Sequence, residues 1–552
     1  MKGEDLRFID IHLAGFLAER SGFKGEERKR FCELVELLSS ALESGHSCLR
    51  LDDSDKMFVM ESHLVSEGTD TPLVVQGDRL YLQRYYSYES KLAGNLLMLA
   101  AEHHHWPQLE VLLDEYFGRS SSGEDYQREA ARLAMQRSLC LISGGPGTGK
   151  TTTVVRILAL MLELFGKQTR IGLAAPTGKA AMRLQESITA SLPYLPVGKD
   201  IAKDIPRDAM TLHRLLGVIR NTPRFMHNHD NPLPLDVLVI DEASMVDLAM
   251  MSKVVDALKP GARLILLGDK DQLASVESGA VLADCIRGLP ENTIELRKSY
   301  RFETGIGTVA KAINRGDGTR CFDLLHGDEF DNISFLQEPL RDFVGSRYKN
   351  YMECVRSYPA TTLDEIFSSF GEFQVLCGTR HGARGLNAIN NAVEGYLKTS
   401  GYYCLPGDWY PGRPVMVTRN DYNLGLFNGD IGICLSDPEN DTLNIWFDLG
   451  NGAYRYCPPY RLPASETVFA MTIHKSQGSE FRDVLVVLPE TDNRVLNRQL
   501  VYTAVTRARE RLWLKADERV LVDSLCRDYE RSSGLMEMLQ GKAVLGRELS
   551  IT

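Results

Sequence analysis

The sequence has no apolar run approaching the roughly 20 residues that a membrane-crossing helix needs. Its opening, MKGEDLRFID, is acidic and mixed, where an export signal needs a basic start followed by an apolar stretch. A soluble, cytoplasmic protein with no membrane partner is expected. There is no CxxC pair either. The 11 cysteines stand singly, at Cys32, Cys48, Cys140, Cys285, Cys321, Cys354, Cys377, Cys404, Cys434, Cys457 and Cys526, which argues against zinc and iron–sulfur sites and leaves reduced core thiols. Nor is there a basic excess: 63 Lys and Arg against 74 Asp and Glu give a net charge of −11. That speaks only weakly against nucleic acid, because phosphate contacts need local cations in a groove. Internal repeats and low-complexity tracts are missing, and no carboxylate–lysine cluster marks a nuclease centre. The triplet His103-His104-His105 does not converge on a metal, because consecutive helical side chains point about 100° apart.

What is present is an ordinary globular composition, 43% hydrophobic and 25% charged, on 552 residues, too long for one core. Residues 1–117 carry no nucleotide motif, but two apolar stripes have helical spacing: Ile9, Leu13, Phe16, Leu17 and Leu34, Leu37, Leu38, Ala41. They predict a helical N-terminal domain, each stripe burying one face. The tract GRSSSG at 118–123 marks a boundary. Beyond it, apolar runs alternate with helical stretches: Leu139–Ser143, Ile171–Ala175, Val237–Ile240, Leu264–Leu267, then Phe373–Cys377, Val468–Thr472, Val484–Leu488 and Leu512–Leu514. This alternation predicts an α/β fold with two parallel-sheet domains. Residues 413–463 read as short β segments between Asn, Asp and Gly turns, suiting a small β-barrel insertion. Residues 316–372 carry no recognisable motif.

Gly144-Gly145-Pro146-Gly147-Thr148-Gly149-Lys150-Thr151, followed by Thr152, matches GxxxxGK[ST] between a strand and a helix. Such a loop turns backbone N–H groups toward phosphates, Lys150 reaches the β/γ-phosphates of ATP, and the Thr151 hydroxyl ligates Mg²⁺. Asp241-Glu242 closes the strand VLVI, placing two carboxylates at a sheet edge where α/β proteins bind ligands. Asp241 is expected to hold Mg²⁺ through water and Glu242 to polarise the attacking water.

The motif series GGPGTGKTT, AAPTGKAAMRL (174–184), TLHRLLG (211–217), VIDEAS (239–244), GDKDQLASV (268–276), KSYRF (298–302), MTIHKSQGSEF (471–481) and VYTAVTRAR (501–509) resembles the superfamily 1 helicases. More narrowly it resembles the RecD family, the alpha subunit of bacterial exodeoxyribonuclease V (RecBCD), to which GHSCLRL in the N-terminal region is also similar. The resemblance implies two RecA-like domains, at 124–300 with a short strand-separating pin at about 219–234, and at 301–552 with an SH3-like insertion at about 411–464. It implies that Gln127 reads adenine, that Gln272 senses the γ-phosphate, and that Arg301 and Arg507 act as arginine fingers. It also implies a DNA path over Pro176, Thr177, Lys179, Thr211, His213, Thr472, His474, Lys475 and Ser476, with Arg224–Asn228 as the pin segment. The function so implied is an ATP-dependent 5′→3′ DNA helicase, without a nuclease site of its own, acting on single-stranded and duplex-end DNA. It works with RecB-like and RecC-like subunits, onto which residues 1–117 are expected to dock, in double-strand-break repair and recombination. Two alternatives are a stand-alone RecD-like helicase and a nucleotide-controlled scaffold without motor activity.

Overall fold

The computed structural model describes residues 7–68, 70–118, 125–196, 199–275, 277–298, 305–402, 409–421, 423–438, 440, 442–450, 452–528 and 531–541. Most of the GRSSSG tract, Arg301 and Cys404 lie outside the described residues.

The first α/β sheet has six parallel strands in the order Thr293–Glu295, Leu139–Ser143, Arg263–Gly268, Val237–Ile240, Ile171–Ala175, Ala209–Thr211. The central strands LCLIS, RLILLG and VLVI are buried at every residue, as strands covered by helices on both faces must be. Three adjacent strands therefore deliver three motifs to one edge: the Gly144 loop, Asp269–Gln272 and Asp241-Glu242.

The second sheet has five parallel strands, ordered Ile333–Phe335, Ala508–Lys515, Phe481–Val487, Phe373–Cys377, Ala470–Thr472. The motif-free stretch 316–372 supplies its outer strand and four helices, with Leu324, Val344, Tyr351 and Ile366 in the domain's core. The β insertion is present as five antiparallel strands, Tyr454–Cys457, Leu443–Asp448, Ile431–Ser436, Pro414–Val417 and Ser465–Thr467, around Val415, Cys434, Ile445 and Phe447. Among the described residues its pairing runs end to end without closing into a barrel.

The N-terminal region differs from an all-helical domain. Helices Phe8–Arg20, Gly25–Glu43 and Asp53–Met60 pack on a four-stranded sheet, ordered Leu49–Arg50, Arg79–Leu82, Leu73–Gln76, Val65–Ser66. Its hairpin turns on Gly77-Asp78, with Gly77 at φ +63°. The first predicted stripe is also displaced. Helix Phe8–Arg20 buries Asp10, Ala14, Leu17 and Ala18, while Ile9 stays 64% and Phe16 52% exposed. Small residues let this face approach its neighbour closely, and Asp10 is satisfied by Ser39 Oγ at 2.6 Å and by Arg7. The second stripe buries Leu34 and Leu38, leaving Leu37 and Ala41 half-buried.

The independent N-terminal core ends near Leu82 rather than at residue 117. Helix Gln83–Ala101 sets Leu92 and Leu96 into the first α/β domain's core, and Leu109–Phe117 sets Leu113 and Tyr116 into its other face. The chain's far end returns to the same place: Leu535, Met538 and Leu539, from helix Leu535–Leu539, join the core of the first domain rather than the second.

Candidate functional site

The P-loop fits a phosphate chain. Gly147 and Gly149 adopt φ +75° and +82°, open to glycine at little cost. A Cβ on Gly144 would sit 2.8 Å from Thr148 Oγ1 and 3.0 Å from the Leu296 carbonyl. Helix Lys150–Phe165 begins directly after the loop and aims its N-terminus at it. Lys150 Nζ donates to the carbonyls of Gly144 at 2.6 Å and Gly145 at 3.2 Å, so the ammonium lies folded along the cradle.

Two strands away, Glu242 sits at φ +51°, ψ +39°, a strained conformation for a non-glycine residue, with its N–H donating to Asp241 Oδ1 at 2.8 Å. Burial pushes the Asp241 pKa up, the Glu242 charge adds to this, and Lys150 opposes both. Such a pair suits a hydrated divalent cation, whose charge relieves both the burial and the repulsion.

The strand between them ends at Asp269, a residue the motif reading passed over. It is 2% exposed, its pKa raised chiefly by burial, and it accepts from Gln272 Nε2 at 3.1 Å and from the Tyr502 hydroxyl at 3.0 Å. Tyr502 belongs to the second domain, so this bond crosses the cleft. So do Arg507 Nη2 to Gln272 Oε1 at 2.6 Å, Leu273 N–H to Thr503 Oγ1 at 2.8 Å, Gln477 Nε2 to the Leu273 carbonyl at 2.8 Å, and Asn314 Nδ2 to Asp271 Oδ2 at 3.2 Å. Arg507 also donates to the Thr503 and Ser479 carbonyls, at 3.1 and 3.0 Å. Arg183 spans the cleft from the first domain, to the Gly478 carbonyl at 3.0 Å and to Glu480 at 3.0 Å. Gln272 and Arg507 are thus brought together with Lys150, Asp241 and Glu242 around one cleft. Tyr502, Thr503, Gln477 and Arg183 lay inside the recognised motifs, but only their pairing across the cleft gives them a part.

Beside the P-loop strand a cavity of about 320 Å³ is lined by Tyr126, Ser143, Thr293, Glu295 and Arg297. The Arg297 guanidinium lies 5.7 Å from the centre of the Tyr126 ring, an arrangement suited to a flat heterocycle. Gln127 is not on this wall; its N–H takes part in the Asp125 cap, at 3.1 Å.

A larger groove of about 740 Å³ opens between the two domains and the insertion, lined by Thr177, Lys179, Thr379, Arg380, Thr472, His474 and Lys475 among others. Thr177, Thr379 and Thr472 give this lining hydroxyls, and Lys179, Arg380 and Lys475 give it cations, the last two also paired with Glu466; these are groups that sequence-independent phosphate binding uses. Burial, with Arg183 nearby, pushes the Lys179 pKa down to about 8. The remaining predicted contacts do not line this groove. Ser476 is buried and donates to the Ile473 carbonyl at 2.7 Å, and Thr211 Oγ1 caps helix Leu212–Leu216. His213 packs edge-on against Phe225, and Pro176 precedes the Thr177 cap. The segment 216–228 forms a hairpin through the Met226 N–H to Gly217 carbonyl bond at 2.8 Å, with Asn221 at φ +61° near its tip. Arg224–Asn228 is therefore the returning limb, anchored by Phe225, and the tip is 219–223.

The model of the RecBCD enzyme subunit RecD N-terminal domain matches residues 3–61, that of an AAA domain matches 127–278, and that of the UvrD-like helicase C-terminal domain matches 467–515. The RecBCD enzyme subunit RecD of Mycolicibacterium smegmatis is 40% identical over 98% of this chain and 99% of its own length. That of Haemophilus influenzae is 34% identical, covering 85% of this chain and 81% of its own. The ATP-dependent RecD2 DNA helicase of Deinococcus radiodurans is 31% identical over 91% of this chain and 63% of its own length. Motif order, the interdomain cleft and these relatives agree: the chain belongs to the RecD family of RecBCD enzyme subunits.

Proposed function

We propose that the chain is an ATP-driven DNA helicase motor, moving 5′→3′ on single-stranded DNA from duplex ends, as the RecD-like subunit of a cytoplasmic RecBCD-like helicase–nuclease. The observation that carries this reading is the contact of Arg507 with Gln272 across the cleft. It joins the nucleotide edge of one domain to the other domain, whose Thr472, His474 and Lys475 line the basic groove. In this reading the P-loop, Gly144–Thr152, cradles the triphosphate, Lys150 turns from its carbonyl partners to the β/γ-oxygens, and Thr151 and Asp241 hold Mg²⁺. The bound Mg²⁺ supplies charge neutralisation at the γ-phosphoryl group. Glu242 takes the proton of the attacking water, Arg507 and Arg301 steady the equatorial oxygens, and Gln272 reports the γ-phosphate. Tyr126 and Arg297 take the adenine, and Gln127, which lies off their cavity wall, would read the base edge only by swinging its side chain inward. Thr177, Lys179, Thr472, His474 and Lys475 hold the DNA backbone, and the 5′→3′ direction rests on the likeness of the insertion to the SH3-like element of that helicase branch. Nuclease activity is left to the partner.

Lys150→Ala should abolish DNA-stimulated hydrolysis, and Glu242→Gln should bind ATP without turning it over. Either variant working at the wild-type rate with saturating single-stranded DNA overturns the reading. Purification with RecB-like and RecC-like subunits, against purification alone, separates it from a stand-alone helicase. A wild-type chain that binds ATP without DNA-stimulated hydrolysis is the scaffold instead.

A further inference from the structure

GHSCLRL stands apart from every nucleotide motif, yet it touches the loop that follows Gln272. Gly45, at φ +84°, accepts from the Gly279 N–H at 2.9 Å through its carbonyl, and the neighbouring Leu42 carbonyl accepts from Ser278 Oγ at 3.1 Å. Between this turn and the loop lies Arg531, from the chain's returning end. Its guanidinium donates to the carbonyls of Glu277 at 2.7 Å and Gly279 at 2.9 Å, and to that of Ser275. A Cβ on Gly45 would sit 2.7 Å from Arg531 Cζ, so glycine is required there both for its φ and for the packing of the guanidinium.

The returning end is itself fastened to the N-terminal region. The Ser532 N–H donates to His46 Nδ1 at 2.7 Å, the Ser47 N–H donates to the Ser532 carbonyl at 2.9 Å, and Arg79 pairs with Glu537 at 2.6 Å. Beneath them the fully buried Glu89 accepts from Ser47 Oγ at 2.5 Å, Ser533 Oγ at 2.9 Å, the Gly534 N–H at 3.0 Å and the Tyr81 hydroxyl at 3.1 Å. Four donors on one buried carboxylate make this a fixed anchor. On its other side Arg531 borders the same small cavity as Gln272 and Leu273.

Only a short stretch separates Ser275 from Leu273, whose N–H and carbonyl are both bonded to the second domain. We propose that Arg531 is a positioning residue for DNA-coupled ATP turnover, holding the Gln272 loop by three carbonyls and being held in turn by the Gly45–Ser47 turn. The N-terminal region then sets the register of the coupling loop. The assignment rests on the helicase reading above.

The test compares full-length wild type, Arg531→Ala, Arg531→Lys and Gly45→Ala by ATPase kinetics with and without single-stranded DNA, alongside thermal melts. Losing a charged donor shared by three carbonyls should lower DNA-stimulated kcat of Arg531→Ala about tenfold, with KM for ATP held. Arg531→Lys, which keeps the charge but not the planar fork, should recover part of that loss. Gly45→Ala, which displaces the guanidinium without removing it, should reproduce the Arg531→Ala split between kcat and KM. A stimulated wild type whose Arg531→Ala variant is equally stimulated overturns the inference alone. So does a loss in Arg531→Ala that only follows its melting temperature, with no recovery in Arg531→Lys. A wild type that DNA does not stimulate overturns the helicase reading and takes the inference with it.

Discussion

Arg507, in the second motor domain, donates to the Gln272 side chain of the first at 2.6 Å, and the two side chains are 2% and 7% exposed. Burial lowers the Arg507 pKa, while the charges of Glu242, Glu480 and Asp269 pull it back up. A buried guanidinium with neutral oxygen partners is poised for an anion: among the described residues no carboxylate bonds to it directly. Arg507→Ala should lower DNA-stimulated kcat by about a thousandfold. Arg507→Lys should recover little, because one ammonium cannot make the three bonds of the fork. Gln272→Ala should cost less, and the double variant should be no worse than Arg507→Ala, since neighbours in one network are not additive. Steady-state ATPase assays of the three variants check this; simple additivity contradicts it.

Lys179 carries the pH dependence. With its pKa held at about 8, the ammonium is lost within the range where an ordinary lysine stays charged. Affinity for single-stranded DNA should therefore fall as pH rises from about 7 to 9, and Lys179→Met should bind more weakly at pH 7 with a flatter profile. Fluorescence anisotropy at fixed salt reads this. A Lys179→Met profile as steep as that of the wild type counts against the assignment.

The hairpin prediction follows from where the tip lies. Ile219 is 40% exposed and Val218 47%, whereas Phe225 is fastened by His213 and by Lys253, 5.3 Å from its ring centre. Replacing 219–223 by a short Gly linker should leave DNA-stimulated ATPase intact and reduce unwinding of a forked duplex. Unwinding at the wild-type rate means that the hairpin is not the separating pin.

The N-terminal region cannot be tested by truncation near Asp125, because that would strip Leu92, Leu96, Leu113 and Tyr116 from the motor's own cores. Its outward face offers a cleaner experiment. Phe8, Ile9, Ile11 and Phe16 are 80%, 64%, 46% and 52% exposed on one helix, an apolar surface suited to a protein partner. Ile9→Asp with Phe16→Asp should abolish co-purification with RecB-like and RecC-like subunits without lowering the melting temperature. Full stoichiometry in the double variant rules out docking through this face.

The sequence carried the motor's plan because strand-loop-helix units are local. Buried runs such as LCLIS and VLVI, each ending in a motif, are enough to predict a parallel sheet and its ligand edge. The insertion was legible in four of its five strands; the fifth, Ser465–Thr467, lies past residue 463, where the reading ended it, and among the described residues the strands do not close into the expected barrel. What stayed hidden depends on long-range pairing. Nothing near Tyr502 points to Asp269, 233 positions away, nor does Arg531 point to Glu277. The small N-terminal sheet escaped because its strands are two to four residues long, although the Gly77-Asp78 turn between LVVQ and RLYL was a usable hairpin signal. The first helix was read one face out, since Asp10 turns inward on the strength of Ser39 and Arg7, which apolar periodicity cannot register.

Strand displacement with ATP and Mg²⁺, on duplexes carrying either a 5′ or a 3′ single-stranded tail, tests the motor most directly. The account predicts ATP-dependent unwinding of the 5′-tailed duplex, little or none of the 3′-tailed one, and none of either by Lys150→Ala. Equal or greater unwinding from the 3′ tail, or displacement that continues in Lys150→Ala, would contradict it.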